Sequence, residues 1–176
     1  NTLTRAEAVK IILGVLEIEL GPPDESSFPD ITPEHSLWEY VEEATSREIV
    51  SGYEDGEFKP DRAVTRAEFT KILLGAADEV DDPFSAAPAF DDVAESDWFA
   101  SYVYSARDRG YLDGYPDGSF KPHNNSTRAE ATKIIALFRT KGVEPDLLVD
   151  PNTPEEIRIA EIVNQMHTDI EKPTLV

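Results

Sequence analysis

The sequence predicts an all-α protein built of tandem helix-loop-helix repeats. One segment occurs three times, as TRAEAVKII from Thr4, TRAEFTKIL from Thr65 and TRAEATKII from Thr127, at spacings of 61 and 62 residues. A glycine-containing loop occurs twice at the same spacing, GYEDGEFKP at 52–60 and GYPDGSFKP at 114–122. Apolar residues around these segments recur every three or four positions, which is typical of amphipathic helices. Repetition at a fixed period indicates an array of similar units.

Each TRAE segment has the sequence of a helix start. A threonine at the N-cap and a glutamate three residues later form a capping box, in which each side chain bonds a backbone N–H of the first turn. A lysine three residues after the glutamate is placed to pair with it at the surface. The predicted capping pairs are Thr4 with Glu7, Thr65 with Glu68 and Thr127 with Glu130, and the lysines are Lys10, Lys71 and Lys133.

Another helix precedes each loop, within LWEYVEEATSREIV in the second unit and WFASYVYSARDRGYL in the third. Each is headed by a tryptophan, and we expect Trp38 and Trp98 to occupy equivalent positions in their repeats. Gly110 is placed to end the helix of the third unit. A short element precedes each helix, FPDI from Phe28 and FDDV from Phe90. The apolar residues at helical spacing are Leu37, Tyr40, Val41, Ala44 and Ile49 in the second unit, and Trp98, Tyr102, Val103 and Ala106 in the third.

The loops have the composition of tight turns. In the third unit, Pro116 fixes φ, Asp117 can bond the backbone two residues on, and Gly118 tolerates a positive φ. We expect the phenylalanines near the end of the two loops, Phe58 and Phe120, to reach the core.

The repeats divide the chain into units. Residues 1–20 are the second half of a first repeat, 28–77 a second repeat and 90–140 a third, joined by proline- and aspartate-rich stretches at 21–30 and 78–92. Because its first residues already belong to a repeated motif, we expect the chain to be a piece of a longer polypeptide. A further helix is predicted within 150–172, with Thr153 as N-cap and Pro154 at N1. It either docks where the missing helix of the first unit would lie, or begins another domain.

Composition excludes several kinds of partner. Lys and Arg number 16 against 36 Asp and Glu, for a formal charge of −20. Nucleic-acid binding and unaided docking on anionic lipid both need basic patches, which such a chain does not favour. No apolar run approaches the roughly 20 residues of a membrane span. Cysteine is absent, which excludes disulfides and thiolate metal sites.

Capping leaves one letter of TRAE unexplained. Arg5, Arg66 and Arg128 are predicted at N1, where the helix dipole disfavours a cation. An anion opposite them would account for the arginine, since a guanidinium clamps a carboxylate or phosphate with roughly 1.5–3 kcal/mol per good contact. Salt bridges between repeats, to some of the many acids, explain the arginines equally well.

The order F-x-D-V, W, GY-x-DG-x-F-x-P, TRAE resembles the S-layer homology (SLH) module, over roughly residues 1–140. The resemblance implies a pseudo-threefold, three-lobed helical bundle with sugar grooves between neighbouring lobes. It implies non-covalent anchoring of a bacterial surface protein to cell-wall polysaccharide bearing acidic, pyruvylated sugars. The implied location is extracellular, in the cell wall or S-layer, with other S-layer subunits as further partners.

The resemblance also implies roles for individual residues. Arg5, Arg66 and Arg128 become carboxylate clamps. Asp30 and Asp92 accept bonds from sugar hydroxyls, and Trp38 and Trp98 form an apolar platform for a sugar face. Gly52 and Gly114 let the loop backbone approach the ligand. The alternatives are that the tryptophans are half-buried core residues and that the glycines serve the turn alone.

Neither catalysis nor metal binding is indicated by a motif. The three histidines, His35, His123 and His167, are far apart, and no nucleophile elbow, phosphate loop or dinucleotide fingerprint occurs. We therefore expect a non-enzyme without a cofactor. Clustered acids in YEDGEFKPD and DEVDDP offer the hard oxygens that Ca²⁺ prefers, though without EF-hand spacing. The rival to glycan anchoring is therefore a structural self-assembly module, with or without Ca²⁺.

Overall fold

The computed structural model describes residues 2–23, 25–80 and 90–141. Within these ranges the chain forms five helices and no strand, only isolated β-bridges, so the predicted all-α class is confirmed. No helix of this part is long and apolar enough to cross a bilayer. The helices are α1 (Arg5–Val15), α2 (Trp38–Ser46), α3 (Arg66–Ala76), α4 (Ala100–Asp108) and α5 (Arg128–Lys141).

Packing joins helices of neighbouring repeats. The helix α1 packs on α2 and α3 packs on α4, so each pair crosses a repeat boundary, while α1 also contacts α3. Each helix contributes a buried stripe, for example Ile12 and Leu13 of α1 and Val41 and Ala44 of α2. The helices thus share a continuous core in which a repeat is completed by its neighbour.

The helix starts follow the sequence prediction. Thr4 and Thr65 are N-caps of α1 and α3, and both capping boxes are formed with Glu7 and Glu68. At α5 the backbone N–H of Thr127 donates to Glu130 at 2.9 Å, and the N–H of Glu130 donates to the Thr127 hydroxyl at 3.2 Å. The lysines that follow behave differently from the prediction, because Lys10 and Lys71 lie over the rings of Tyr40 and Trp98.

The segments that precede the TRAE helices meet in a closed ring of backbone hydrogen bonds. The N–H of Leu3 donates to the carbonyl of Ser126 at 2.9 Å, Ser126 donates to Val64 at 2.8 Å, and Val64 donates back to Leu3 at 2.9 Å. All three residues are fully buried. The ring fixes the starts of α1, α3 and α5 relative to one another. The three-lobed arrangement as such stays a prediction.

The prediction that the two tryptophans occupy equivalent positions is wrong. The helices α2 and α4 both contain nine residues and begin 62 residues apart, at Trp38 and at Ala100. Trp98 therefore precedes its helix and is equivalent to Ser36, while Trp38 is the first helical residue. Matching the two tryptophans by residue type places the repeats two positions out of register. The correct register is visible only in the backbone of the structure.

The turns of the two loops have the features that the sequence predicts. Gly118 has φ +82°, and the N–H of Ser119 donates to Asp117 at 3.1 Å, as in an Asx turn. The rings of Phe58 and Phe120 are fully buried, as predicted. Gly110, with φ +70°, follows the C-terminus of α4.

The predicted helix within 150–172 and part of the 78–92 connection lie outside the described residues. The division into repeats at 1–20, 28–77 and 90–140 stays a prediction.

Candidate functional site

Two open grooves lie at equivalent places in the repeats, each beside a TRAE arginine. We call them the Arg5 groove, of about 170 Å³, and the Arg66 groove, of about 210 Å³. Residues of the glycine-containing loop and of the first turns of the following helix line both grooves. The Arg5 groove is lined mainly by Arg5, Ser51, Gly52, Tyr53, Glu68, Lys71 and Trp98. The Arg66 groove is lined mainly by Arg66, Asp113, Gly114, Tyr115, Glu130 and Lys133.

Backbone contacts bring each arginine to the loop of the next repeat. The N–H groups of Arg5 and Ala6 donate to the carbonyls of Arg62 and Pro60, at 2.9 and 3.1 Å. In α3, Arg66 and Ala67 donate to Asn124 and Pro122 in the same way, at 2.9 and 3.0 Å. The N–H groups at N1 and N2 are thus occupied by loop carbonyls. These N–H groups are therefore not free to bind an anion at the starts of α1 and α3, where only the guanidinium could do so.

The Arg5 side chain is held on the loop by carbonyls and ring faces. Its Nη2 donates to the carbonyl of Ser51 at 2.7 Å and its Nη1 to that of Phe58 at 3.3 Å. The guanidinium lies over the Tyr53 ring, 4.3 Å from the ring centroid. Arg5 is only 8% exposed, and its Nε–H has no acceptor among the described residues. A buried guanidinium with unused bonding capacity therefore lines this groove.

Arg66 is placed similarly but has a counterion. Its Nε donates to the carbonyl of Phe120 at 2.9 Å, and its Nη1 lies 3.1 Å from Oε1 of Glu130. The guanidinium of Arg128 pairs with Glu7 of the first repeat. Of the two sequence hypotheses for the arginines, the inter-repeat salt bridge thus holds for Arg66 and Arg128. For Arg66 it coexists with an open groove.

Each groove contains a tyrosine bonded to the TRAE glutamate. The Tyr53 hydroxyl donates to Glu68 at 2.7 Å, and that of Tyr115 donates to Glu130 at 2.6 Å. Burial and the hydrogen bond to Glu68 raise the pKa of Tyr53; the hydrogen bond to Glu130 and burial raise that of Tyr115. Both hydroxyls therefore stay protonated at neutral pH.

The glutamates of the grooves stay ionised at neutral pH, because hydrogen bonds lower their pKa. Burial raises the pKa of Glu68, but hydrogen bonds from the Thr65 N–H, the Tyr53 hydroxyl and Arg62 outweigh it and hold the pKa below its ordinary value of 4.5. At Glu130, burial is likewise outweighed by bonds from Tyr115 and Thr127, and its pKa is also lowered. At neutral pH each groove therefore carries a negative charge beside its arginine.

Trp98 adds an apolar wall to the Arg5 groove. It is 57% exposed, its ring meets Phe99 edge to face, and the ammonium of Lys71 lies 5.5 Å from its centroid. An exposed indole beside cationic side chains offers an apolar face and a polar surround together. Trp38 is half-buried, and its Nε1 donates to the Ser26 hydroxyl at 3.0 Å. It is not among the residues that line either groove.

The other predicted site residues position the loops. Both oxygens of Asp30 accept backbone N–H bonds, from Phe58 at 2.8 Å and Lys59 at 2.6 Å. Asp92 accepts those of Phe120 and Lys121 at 2.7 and 2.8 Å. Their proposed bonds to sugar hydroxyls stay a prediction.

Gly52 and Gly114 line the grooves for a packing reason. A Cβ on Gly52 would lie 2.7 Å from the Phe28 ring, and one on Gly114 would lie 2.5 Å from the Phe90 ring. Only glycine leaves room for these rings. Contact of the same backbone with a ligand stays a prediction.

Sequence reasoning missed several groove residues. The sequence assigns the TRAE glutamates to caps and the lysines to surface pairs, and it gives the loop tyrosines no role. The signal was their recurrence at one spacing, Tyr53 with Tyr115 and Lys71 with Lys133. No group of three or more His, Cys, Asp or Glu that could hold a metal occurs in the described ranges.

Comparison with known proteins places these repeats in a family. A model of the S-layer homology domain matches residues 27–70 and 89–132, together half of the chain. The chain is 33% identical over 166 residues to cell surface glycoprotein 1 of Acetivibrio thermocellus, covering 86% of this chain and 7% of that protein. It is 31% identical over 148 residues to the cellulosome-anchoring protein of the same organism, covering 81% and 33% respectively.

A third relative is the surface layer protein of Brevibacillus choshinensis, 37% identical over 123 residues, which cover 66% of this chain and 11% of that protein. The chain thus spans from 7% to 33% of the length of these three relatives. The stretches that the family model matches contain both F-x-D elements, both loops and the TRAE segments at Thr65 and Thr127. The chain belongs to the S-layer homology domain family.

Proposed function

We propose that this chain is a non-catalytic module that anchors a larger polypeptide at the bacterial cell surface by binding acidic polysaccharide of the cell wall. Its ligand is a sugar bearing a carboxylate, such as a pyruvate ketal, seated in the Arg5 and Arg66 grooves. The names of the relatives support this role, since they include a cellulosome-anchoring protein and a surface layer protein.

One observation carries the proposal. Arg5 is almost fully buried and lines an open groove that an exposed tryptophan, Trp98, also lines. A guanidinium presents several donors in the geometry that suits a carboxylate. The indole offers an apolar face for the sugar ring. Neighbouring tyrosine, lysine and glutamate side chains supply partners for hydroxyl groups.

Affinity for a polymer does not require a tight single site. Two grooves on one chain can engage successive sugars of the same polymer, and each binding event after the first is then intramolecular. Weak grooves thereby give an anchor that holds a large protein without a covalent bond.

A structural role is the second candidate, and the ion pairs between repeats favour it. Arg66 pairs with Glu130 and Arg128 with Glu7, so these two arginines stabilise the packing of repeats even without a ligand. Under this alternative, the module associates with itself and ignores the glycan. Arg5 is less well explained, since no carboxylate of the described residues lies within ion-pair distance of it.

Sedimentation with purified cell walls distinguishes the two candidates. Trp98→Ala removes an exposed groove side chain, and Val80→Ala, also exposed but outside the groove, is the matched control. We expect Trp98→Ala to weaken wall binding by about tenfold, which corresponds to about 1.4 kcal/mol, with unchanged urea unfolding. Equal binding of the two variants would contradict a role for the Arg5 groove.

A further inference from the structure

The two grooves differ in charge at two exposed positions that the 62-residue spacing makes equivalent, and Trp98 lines only the Arg5 groove. Ser51 at the rim of the Arg5 groove corresponds to Asp113 at the rim of the other. Arg62, beside the Arg5 groove, corresponds to Asn124. All four side chains are exposed, so the differences are not consequences of core packing. The other charged lining residues are the same in both grooves, Glu68 and Lys71 against Glu130 and Lys133. Outside the lining, the exposed acids Glu54, Glu57 and Asp61 correspond to Pro116, Ser119 and His123.

In the Arg5 groove the glutamate is neutralised by a second arginine. Nη1 of Arg62 lies 2.8 Å from Oε1 of Glu68, and the Tyr53 hydroxyl contacts both residues. Arg5 itself has only carbonyls and ring faces as partners within the described ranges, and its Nε–H has no acceptor. Among the residues that the structure describes, the charge of Arg5 therefore has no counterion.

In the Arg66 groove every cation has a carboxylate. Glu130 has no equivalent of Arg62 and pairs with Arg66 itself, at 3.1 Å. Asp113 lies 3.5 Å from the ammonium of Lys133. The formal charge of Arg66, Lys133, Glu130 and Asp113 is zero, whereas that of Arg5, Lys71, Arg62 and Glu68 is +2. A ligand carboxylate that reaches Arg66 must compete with Glu130.

We propose that the two grooves are functionally unequal, and that the Arg5 groove is the one that selects the acidic sugar. The determinants are Arg62, which pairs with the glutamate that would otherwise be the counterion of Arg5, and Ser51, which leaves Lys71 without the carboxylate that Asp113 offers Lys133. The inference rests on the proposed glycan-binding function and assigns its acid specificity to one groove. We expect the Arg5 groove to bind a carboxylate-bearing sugar about tenfold more tightly than the Arg66 groove, a modest ratio because Asp113 and Lys133 are exposed and screened.

Each groove contains one glycine amide, so the two sites can be titrated separately in one sample. The ¹⁵N-labelled chain is titrated with a methyl glycoside that bears a pyruvate ketal, and the amide resonances of Gly52 and Gly114 are followed by NMR. We expect Gly52 to report the lower dissociation constant, by about tenfold. With the same glycoside lacking the ketal, we expect the ratio to fall, because the part that depends on charge is lost; the part that Trp98 contributes in the Arg5 groove remains.

Exchange variants provide matched controls. Ser51→Asp with Arg62→Asn gives the Arg5 groove the charges of its counterpart, and we expect it to weaken Gly52-reported binding of the ketal-bearing glycoside several-fold while leaving that of the ketal-free glycoside unchanged. Asp113→Ser with Asn124→Arg does the reverse, and we expect Gly114-reported binding of the ketal-bearing glycoside to tighten several-fold. All four positions are exposed, so both variants should retain the fold.

The outcomes separate the inference from the function on which it rests. If both glycines report the same affinity, if Gly114 reports the tighter site, or if the ratio is unchanged without the ketal, the inequality of charge is wrong while glycan binding stands. If neither resonance shifts at any ligand concentration, the proposed function fails and this inference fails with it.

Discussion

Asp30 and Phe58 lie 28 residues apart in the chain, yet the carboxylate of Asp30 accepts a hydrogen bond from the Phe58 N–H at 2.8 Å. The second carboxylate oxygen accepts the N–H of Lys59, so the beginning of the repeat holds the end of the loop that lines the Arg5 groove. Asp92 makes the same two contacts in the next repeat. The F-x-D element and the loop are therefore one structural unit.

Asp30→Asn should destabilise the chain because it replaces one acceptor oxygen with a donor that faces a backbone N–H. We expect a loss of about 1–3 kcal/mol in the free energy of unfolding, measured by urea denaturation. Asp61→Asn, at a highly exposed side chain, is the control and should change stability by less than about 0.5 kcal/mol. Unchanged stability of Asp30→Asn with impaired glycan binding would instead mean that Asp30 acts on the ligand.

Thr65→Ala removes the side-chain cap of α3. The hydroxyl accepts the N–H of Glu68 at 3.2 Å, and we expect its loss to cost about 0.5–2 kcal/mol. Thr65→Ser keeps the acceptor and should recover most of that stability. Thermal unfolding of the three proteins tests this, and an equal loss in both variants would show that the methyl group, rather than the cap, matters.

Acid should unfold the chain partly through Glu68. Its pKa is lower in the folded state than the ordinary value of 4.5, so the folded state favours the ionised form. The resulting stability is fully present above about pH 4.5 and is lost as the pH falls through the lower, folded-state pKa. Glu68→Gln should therefore be less stable than wild type at pH 7 and should lose less stability between neutral and acidic pH. Parallel stability curves, from urea midpoints measured across that range, would contradict this.

Gly52→Ala should be destabilising, since the new Cβ would lie 2.7 Å from the Phe28 ring. Overpacking of this kind costs about 1–3 kcal/mol. Gly14→Ala is the matched control, because a Cβ at this position of α1 meets nothing within 4 Å. That substitution should stabilise the chain by about 0.5–1 kcal/mol. Differential scanning calorimetry gives both signs, and a stable Gly52→Ala would show that the loop can move away from Phe28.

Local features of this fold could be predicted because they depend on neighbours in sequence. The capping box at Thr65, the turn at Gly118 and the helix end at Gly110 each require only a few adjacent residues. The predicted burial of Phe58 and Phe120 is confirmed as well. These elements were sufficient to place the three arginines at N1.

The partners of those arginines could not be predicted, because they come from other repeats. Nothing near Arg5 in sequence indicates that it stacks on Tyr53, or that the groove glutamate Glu68 pairs with Arg62. The register error of two positions between Trp38 and Trp98 has the same cause, since the register of a helix depends on how it packs against other repeats. The long-range ring of Leu3, Val64 and Ser126 likewise appears only once the repeats are assembled.

Isothermal titration of the wild-type chain with purified cell-wall polysaccharide, before and after removal of its pyruvate ketals, tests the central claim most directly. If buried arginines in the grooves recognise a sugar carboxylate, removal of the ketals should weaken binding by at least about tenfold, or about 1.4 kcal/mol. Equal affinity for the two polymers would contradict the claim, and the arginines would then serve only to hold the repeats together.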